Sequence, residues 1–89
     1  MEREVVLILE HAHSEHNDKH YRGFYNGHEI KILSRYRDDG RKNYLRLNMG
    51  LAKALECNDI NDLNHLLLNY KCRLVGLHKD KMEVTIFLN

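Results

Sequence analysis

The sequence of 89 residues contains no proline, five glycines and two cysteines. A chain this short, without a Pro- or Gly-rich linker, is expected to form one compact domain spanning 1–89. Cys57 and Cys72 make neither a disulfide framework nor a Cys-x-x-Cys pair, so a reducing, cytoplasmic location is expected. The longest apolar run, Val5 to Leu9, is far below the roughly 18 residues of a membrane-spanning helix, and no targeting segment is recognised, so no membrane association is expected.

The formal net charge of +1 conceals an uneven distribution. Residues 19–46 hold eight lysines and arginines against three carboxylates, a net charge of +5, whereas residues 1–18 have a net charge of −4 and the remainder is balanced. The basic part of the chain is therefore contiguous. An anionic partner is compatible with this distribution, and its contact is expected within residues 19–46.

Local patterns predict strands, then helices, then strands. The β-branched and apolar run Val5 to Leu9 predicts a central strand that is covered on both faces. The Asn26-Gly27 pair predicts a type I′ turn between two strands, in which Tyr25 lies opposite His28. This register places Arg22 and Phe24 on one face of the hairpin. It places the apolar residues of the hairpin on the other face: Tyr21, Tyr25, Ile30 and Ile32.

The remaining elements follow from turn and capping signals. Asp38-Asp39-Gly40 predicts a turn, followed by a short return strand over 44–47. Asn48 suits the N-cap of a helix over 49–56, and a second helix begins after Asn58 or Asp59, with an apolar stripe from Ile60 to Tyr70. Final strands are predicted over 72–77 and 82–88, the latter with strict alternation.

These elements predict an α+β fold with a small, mostly antiparallel sheet or an OB-like partial barrel. The predicted order is β-β-β-(β)-α-α-β-β. OB-folds are small Greek-key barrels that often bind oligonucleotides through one sheet face. A plain α+β sandwich fits the same order equally well.

Histidines and carboxylates are concentrated after the first strand. An apolar strand followed by His-x-His and a further histidine is a spacing that allows imidazoles to converge on zinc. Residues 11–16 resemble the His-x-His-x-Asp-His motif of the metallo-β-lactamase family, with Glu15 in place of the aspartate. The remaining chain departs from that family, whose enzymes are well over twice as long, so membership is not inferred. The candidate metal ligands are His11, His13, His16 and His20; the favoured alternative is a solvated loop without a cofactor.

Residues 19–46 combine cations with five of the seven aromatic residues in the chain. Single-stranded nucleic acid requires both types of side chain, because bases stack on flat rings and phosphates bind Lys and Arg. The candidate binding residues in this region are Arg22, Phe24, Lys31, Arg35, Arg37, Arg41, Lys42, Tyr44 and Arg46. An ordinary solvated sheet face remains the alternative interpretation.

Three functions are compatible with these patterns. The favoured one is a non-enzymatic module that binds nucleic acid, or a complex that handles nucleic acid, through the basic hairpin region 19–46. The second is a protein-binding inhibitor or adaptor, such as a phage or mobile-element accessory protein, that docks on an acidic surface. The third is a zinc-binding protein that uses segment 11–20. The patterns leave the partner and the oligomeric state open.

Overall fold

The computed structural model describes residues 2–37 and 40–89. Within these ranges the chain forms six strands and two helices. Their bounds are β1 Arg3–Glu15, β2 Asp18–Tyr25, β3 His28–Arg37, β4 Gly40–Leu45, α1 Met49–Ala54, α2 Ile60–Leu66, β5 Leu67–Val75 and β6 Lys81–Leu88. The turn predicted at Asp38 and Asp39 lies outside the described residues. Neither described helix is long and apolar enough to cross a membrane.

The strands form one antiparallel sheet in the order β4-β3-β2-β1-β6-β5. Strands β1 to β4 are neighbours in chain order, and the chain then passes through both helices before β6 pairs with the free side of β1. The sheet is nearly closed and barrel-like. An antiparallel, barrel-like sheet with helices confirms the coarse prediction, whereas the detailed arrangement of strands and helices differs in part.

The β2–β3 hairpin has the predicted register. Tyr25 pairs with His28, and the two turn residues Asn26 and Gly27 have φ angles of 51° and 77°. These positive values are those that a type I′ turn requires. The Asn26 side chain also donates a hydrogen bond to the carbonyl oxygen of Ala54 over 2.8 Å, so the turn is attached to α1.

Several element boundaries differ from the prediction; for example, β5 ends at Val75 instead of 77 and β6 begins at Lys81 instead of 82. Strand β1 continues through the histidine-rich segment to Glu15, because that segment pairs with β2. Strand β4 begins at Gly40 and ends at Leu45, before the predicted end at 47. Helix α1 ends at Ala54 instead of 56, although its predicted cap is present, since the Asn48 side chain accepts a hydrogen bond from the Leu51 amide over 2.9 Å.

The apolar stripe predicted for the second helix is divided between two elements. Helix α2 ends at Leu66, and residues 67–70 belong to β5, where Leu67 pairs with Leu88 and Tyr70 with Ile86. Pairing with β6 satisfies the backbone groups of these residues as well as a further helical turn would. Leucines at three successive positions fit either period, so the helical prediction for 67–70 is wrong for a tertiary reason.

One face of the sheet, which we call the inner face, packs against both helices. The core contains alternate residues of the strands together with Leu51, Ala52 and Leu63 of the helices. The opposite side, called the outer face, leaves Val6 and Ile8 of β1 each 50% exposed. The prediction that β1 is central is confirmed by the sheet order, but the prediction that it is covered on both faces is wrong, because both helices join the core of the inner face.

Candidate ligand-binding face

Strand pairing brings several predicted binding residues together on the outer face. Arg22 of β2 pairs with Lys31 of β3, and Phe24 pairs with Glu29. In the next pair of strands Leu33 lies opposite Tyr44. Arg46 follows β4 directly, one residue beyond the pair formed by Ile32 and Leu45. The alternation of the strands therefore places Arg22, Lys31 and Arg46 in one row across the sheet.

A hollow of about 270 Å³ opens beside this row. Its walls are formed by the bulged strand β1 and by the basic row of β2 to β4. The lining residues are Ala12, His13, His20, Tyr21, Arg22, Lys31 and Arg46. Three cations and two imidazoles thus surround one depression, and its lining contains no carboxylate.

Two carboxylates lie close to this basic row: Glu10 of β1, which pairs with Arg22 across the sheet, and Glu29 of β3. Glu29 contacts Lys31, with Oε1 at 3.4 Å from Nζ, and Arg22, with Oε2 at 3.8 Å from Nη1. These pairs are exposed, and such pairs contribute about 0–1 kcal/mol, so an anionic ligand can compete with Glu29. Within residues 2–37 and 40–89, no ion pair engages Arg46. The row therefore keeps an excess of positive charge.

Other hollows in the described part of the structure have linings of mixed charge, and two of them lie away from the basic row. One of about 340 Å³ lies beside the β2–β3 turn and contains Arg3 together with Glu4 and Glu56. Another of about 560 Å³, on β5 and β6, contains Arg73, which donates to Glu83 over 2.9 Å. The charged lining residues give the first a net charge of −1 and the second, which also contains Lys71, a net charge of +1, compared with +3 in the hollow beside the basic row.

Exposed rings lie on both sides of the basic row. Phe24 is 69% exposed and Tyr44 is 40% exposed, whereas Tyr21 is buried in the core. The predicted division of the aromatic residues between the two faces is therefore confirmed. Sequence reasoning missed Ile8, which lines a further hollow of about 310 Å³ together with Glu10, Arg22 and Phe24. Its outward direction follows from alternation along β1, but its position beside Phe24 depends on the pairing of β1 with β2.

Of the other predicted cations, Arg35 is the one whose side-chain contacts the structure describes. Arg35 is held by Asp18, with Nε donating to Oδ1 over 3.1 Å and Nη2 to Oδ2 over 3.3 Å. This two-bonded pair links β2 to β3, so Arg35 is less available to a ligand than Arg46 is. Arg37, Arg41 and Lys42 belong to β3 and β4, and their side chains lie outside the described part of the structure.

The four candidate histidines lie at three different places in the structure. His13 and His20 are cross-strand partners on the outer face, with nearly parallel rings whose centroids are 4.3 Å apart. His11 lies on the opposite side of β1, with Nε2 at 2.9 Å from the Ser14 hydroxyl. His16 occupies the β1–β2 turn with a φ angle of 54°. The candidates therefore do not converge on one point as a set of four.

Both cysteines are free thiols. Burial raises the pKa of Cys72 to about 11. The pKa of Cys57 is also raised, first by burial and then by the nearby Asp62 carboxylate. Because the thiolate is the nucleophilic form, neither residue has the features of an activated nucleophile.

Comparison of the chain with protein-family models, curated proteins and solved structures found no significant match. A functional interpretation of the outer face therefore depends on its own geometry and charge.

Proposed function

We propose that the protein is a non-enzymatic binding module that holds single-stranded nucleic acid on its outer face. The observation that carries this proposal is the hollow lined by Arg22, Lys31 and Arg46, with the exposed Phe24 and Tyr44 on either side of the basic row. A phosphate group is the anion of nucleic acid that such a row would contact, and a flat ring is the surface on which a base would stack.

The spacing of the strands supports contact with more than one nucleotide. Phe24 lies two residue pairs before the basic row and Tyr44 two pairs after it, and they belong to strands separated by β3. Residues two apart on one face of a strand are separated by about 6.7 Å, and alternate strands by roughly 9.5 Å. A strand of nucleic acid crossing the sheet diagonally could therefore contact a ring, the cations and a second ring in succession.

The same features are those of small antiparallel barrels that bind oligonucleotides through one sheet face. That analogy concerns the fold alone and supports the proposal only in addition to the charged hollow. A cytoplasmic location remains a prediction. Binding to a complex that handles nucleic acid would use the same surface, and the experiment below distinguishes it through direct binding by the isolated protein.

The proposal is tested by fluorescence anisotropy with a labelled single-stranded oligonucleotide of about 15 nucleotides, within the site sizes of single-strand-binding barrels. We expect Lys31→Glu and Arg46→Glu each to weaken binding at least about tenfold, and the salt dependence to decrease by about one phosphate contact. Lys53→Glu is the matched control, because it makes the same change in charge at an exposed position of α1.

Two results would contradict the proposal. One is the absence of oligonucleotide binding at low salt, where electrostatic contacts are strongest. The other is an equal loss of affinity in Lys31→Glu and Lys53→Glu, which would show that only overall charge matters. If the isolated protein does not bind oligonucleotide, the next hypothesis to test is that the same face binds a protein. Such binding should survive nuclease treatment.

A further inference from the structure

A β-bulge determines which way the histidine-rich end of β1 faces. Glu10 pairs with Arg22 and His11 with Tyr21, but the next pair is His13 with His20, so Ala12 is an extra residue on β1. In a regular strand His13 would share the side of His11 and Leu9. The bulge reverses this alternation and places His13 on the outer face. Bulges commonly redirect a side chain in this way beside functional sites.

Three side chains with metal-binding atoms meet beyond this bulge. His13 lies directly opposite His20, and Glu15 follows two residues later on the same side of β1. One ligand atom from each of these three residues lies within 4.8 Å of the other two. Ligands of a tetrahedral zinc ion at about 2.0–2.2 Å are roughly 3.4 Å apart, so the required contraction is modest for side chains at a sheet surface.

The three side chains are also available for coordination. In the described part of the chain, no hydrogen bond or ion pair engages Glu15. The neighbouring carboxylate Asp18, opposite Glu15 in the ladder, is instead committed to Arg35. His11 is likewise separated from the group by its contact with Ser14. Strand pairing therefore selects two of the four histidines and adds a carboxylate.

From this arrangement we infer that His13, Glu15 and His20 form a binding site for a zinc-class divalent transition-metal ion. Two imidazoles and one carboxylate are a ligand set found in zinc sites that keep an open fourth position. Imidazole nitrogen selects zinc and its neighbours in the transition series over magnesium or calcium, which prefer oxygen ligands. The inference is independent of nucleic-acid binding, since it concerns only the ion and these three side chains.

The position of the site adds a consequence for the hollow. His13 and His20 are part of its lining together with Arg22, Lys31 and Arg46. A bound divalent ion would therefore add positive charge to the same depression. One carboxylate among the ligands neutralises only half of the charge of the ion, so the site with its ion remains cationic.

The experiment is a titration of the metal-free protein with Zn²⁺ alone, followed by calorimetry, with Co²⁺ absorbance as a probe of coordination geometry. We expect one ion per chain. His20→Ala and Glu15→Gln should each weaken binding at least about 100-fold, since losing an outer-shell partner already costs roughly 10–100-fold. His11→Ala and His16→Ala are the matched controls, because they remove neighbouring imidazoles outside the group and should leave the affinity within about twofold.

Circular dichroism of each variant shows whether it is folded. The substituted residues are exposed or half-exposed, so we expect every variant to keep the fold. The inference is overturned if Zn²⁺ does not bind at micromolar concentration. It is also overturned if His16→Ala weakens binding as much as His20→Ala, because the ion would then be held by a histidine-rich segment without the geometry described above. No oligonucleotide is present in the titration, so either result leaves the proposed function to its own test.

Discussion

The inner and outer faces of the sheet are formed by the same strands but have opposite characters. On β6, every second residue is completely buried in the core, as Val84 and Ile86 show. On the outer face, Phe24 and Ile8 are at least half exposed beside a row of cations. Packing against the helices constrains the inner residues, because close-packed interiors tolerate little change in volume. The outer residues have no such constraint, so their types reflect solvent or a ligand.

The comparison also shows how an apolar residue should be interpreted. Val5 and Val6 are adjacent and chemically identical, yet the first belongs to the core and the second is half exposed. The two valines differ only in the side of β1 to which their side chains point. Exposed apolar groups beside a charged hollow are a feature of interaction surfaces, although single exposed residues are common in any protein.

The largest expected effect is on the free energy of unfolding. It is measured by replacing one isoleucine on each face of the sheet. Ile86→Ala should lower the free energy of unfolding by about 2–5 kcal/mol, because it removes a completely buried side chain and leaves a cavity. Ile8→Ala, on the neighbouring strand, should lower it by less than about 1 kcal/mol. Urea unfolding of both variants measures the difference. Equal losses would show that the outer face is covered in solution.

The second prediction concerns the exposed ring of Phe24. Phe24→Ala should weaken binding of the single-stranded oligonucleotide by about 1–3 kcal/mol, the usual contribution of one stacked base. The free energy of unfolding should change by no more than about 0.5 kcal/mol, since the ring is 69% exposed. Anisotropy and urea unfolding of one preparation test both parts. Phe24→Tyr, which retains a flat ring, should keep most of the affinity, and failure to do so would argue against stacking.

The third prediction concerns thiol chemistry at Cys72, which packs against the core from β5. Burial raises its pKa from 9.0 to about 11, so at pH 8 the thiolate fraction is about 100-fold lower than in the unfolded chain. Alkylation by iodoacetamide should be slower in the folded protein by at least that factor, and its rate should rise about tenfold per pH unit below the pKa. Mass spectrometry of timed samples measures it. A rate equal to that of the unfolded protein would indicate that β5 opens readily.

Local patterns predicted a large part of the fold. The Asn26-Gly27 turn determines the β2–β3 register because two positive φ angles are required there and few residue pairs supply them. The alternation of Met82 to Leu88 identified the inner residues of β6 for a similar reason, since successive side chains point to opposite sides. Asn48 was identified as a cap from its own side chain, which satisfies a free amide of the next turn.

The candidate sites were predicted less completely. Arg22, Phe24 and Lys31 share a face because the hairpin register is local, and this was predicted. Of the metal-binding group, His13 and His20 were candidates, but their selection and their grouping with Glu15 were not predicted, because these depend on the bulge at Ala12 and on the alignment of β1 with β2. The end of α2 was also missed, since the pairing of residues 67–70 with β6 outweighs an apolar stripe that equally suits a helix.

Local sequence was therefore sufficient to predict the β2–β3 turn, the alternation within strands and the concentration of cations in residues 19–46. These properties depend on the stereochemistry of a few neighbouring residues and on composition. The face that the helices cover, and the histidine that lies opposite His13, became known only from the pairing and packing of the folded chain. The same pairing also placed Arg46 beside the cross-strand pair of Arg22 and Lys31 around one hollow. These relations depend on pairing between strands distant in the chain, where the burial of a shared core, rather than local preference, selects the partners.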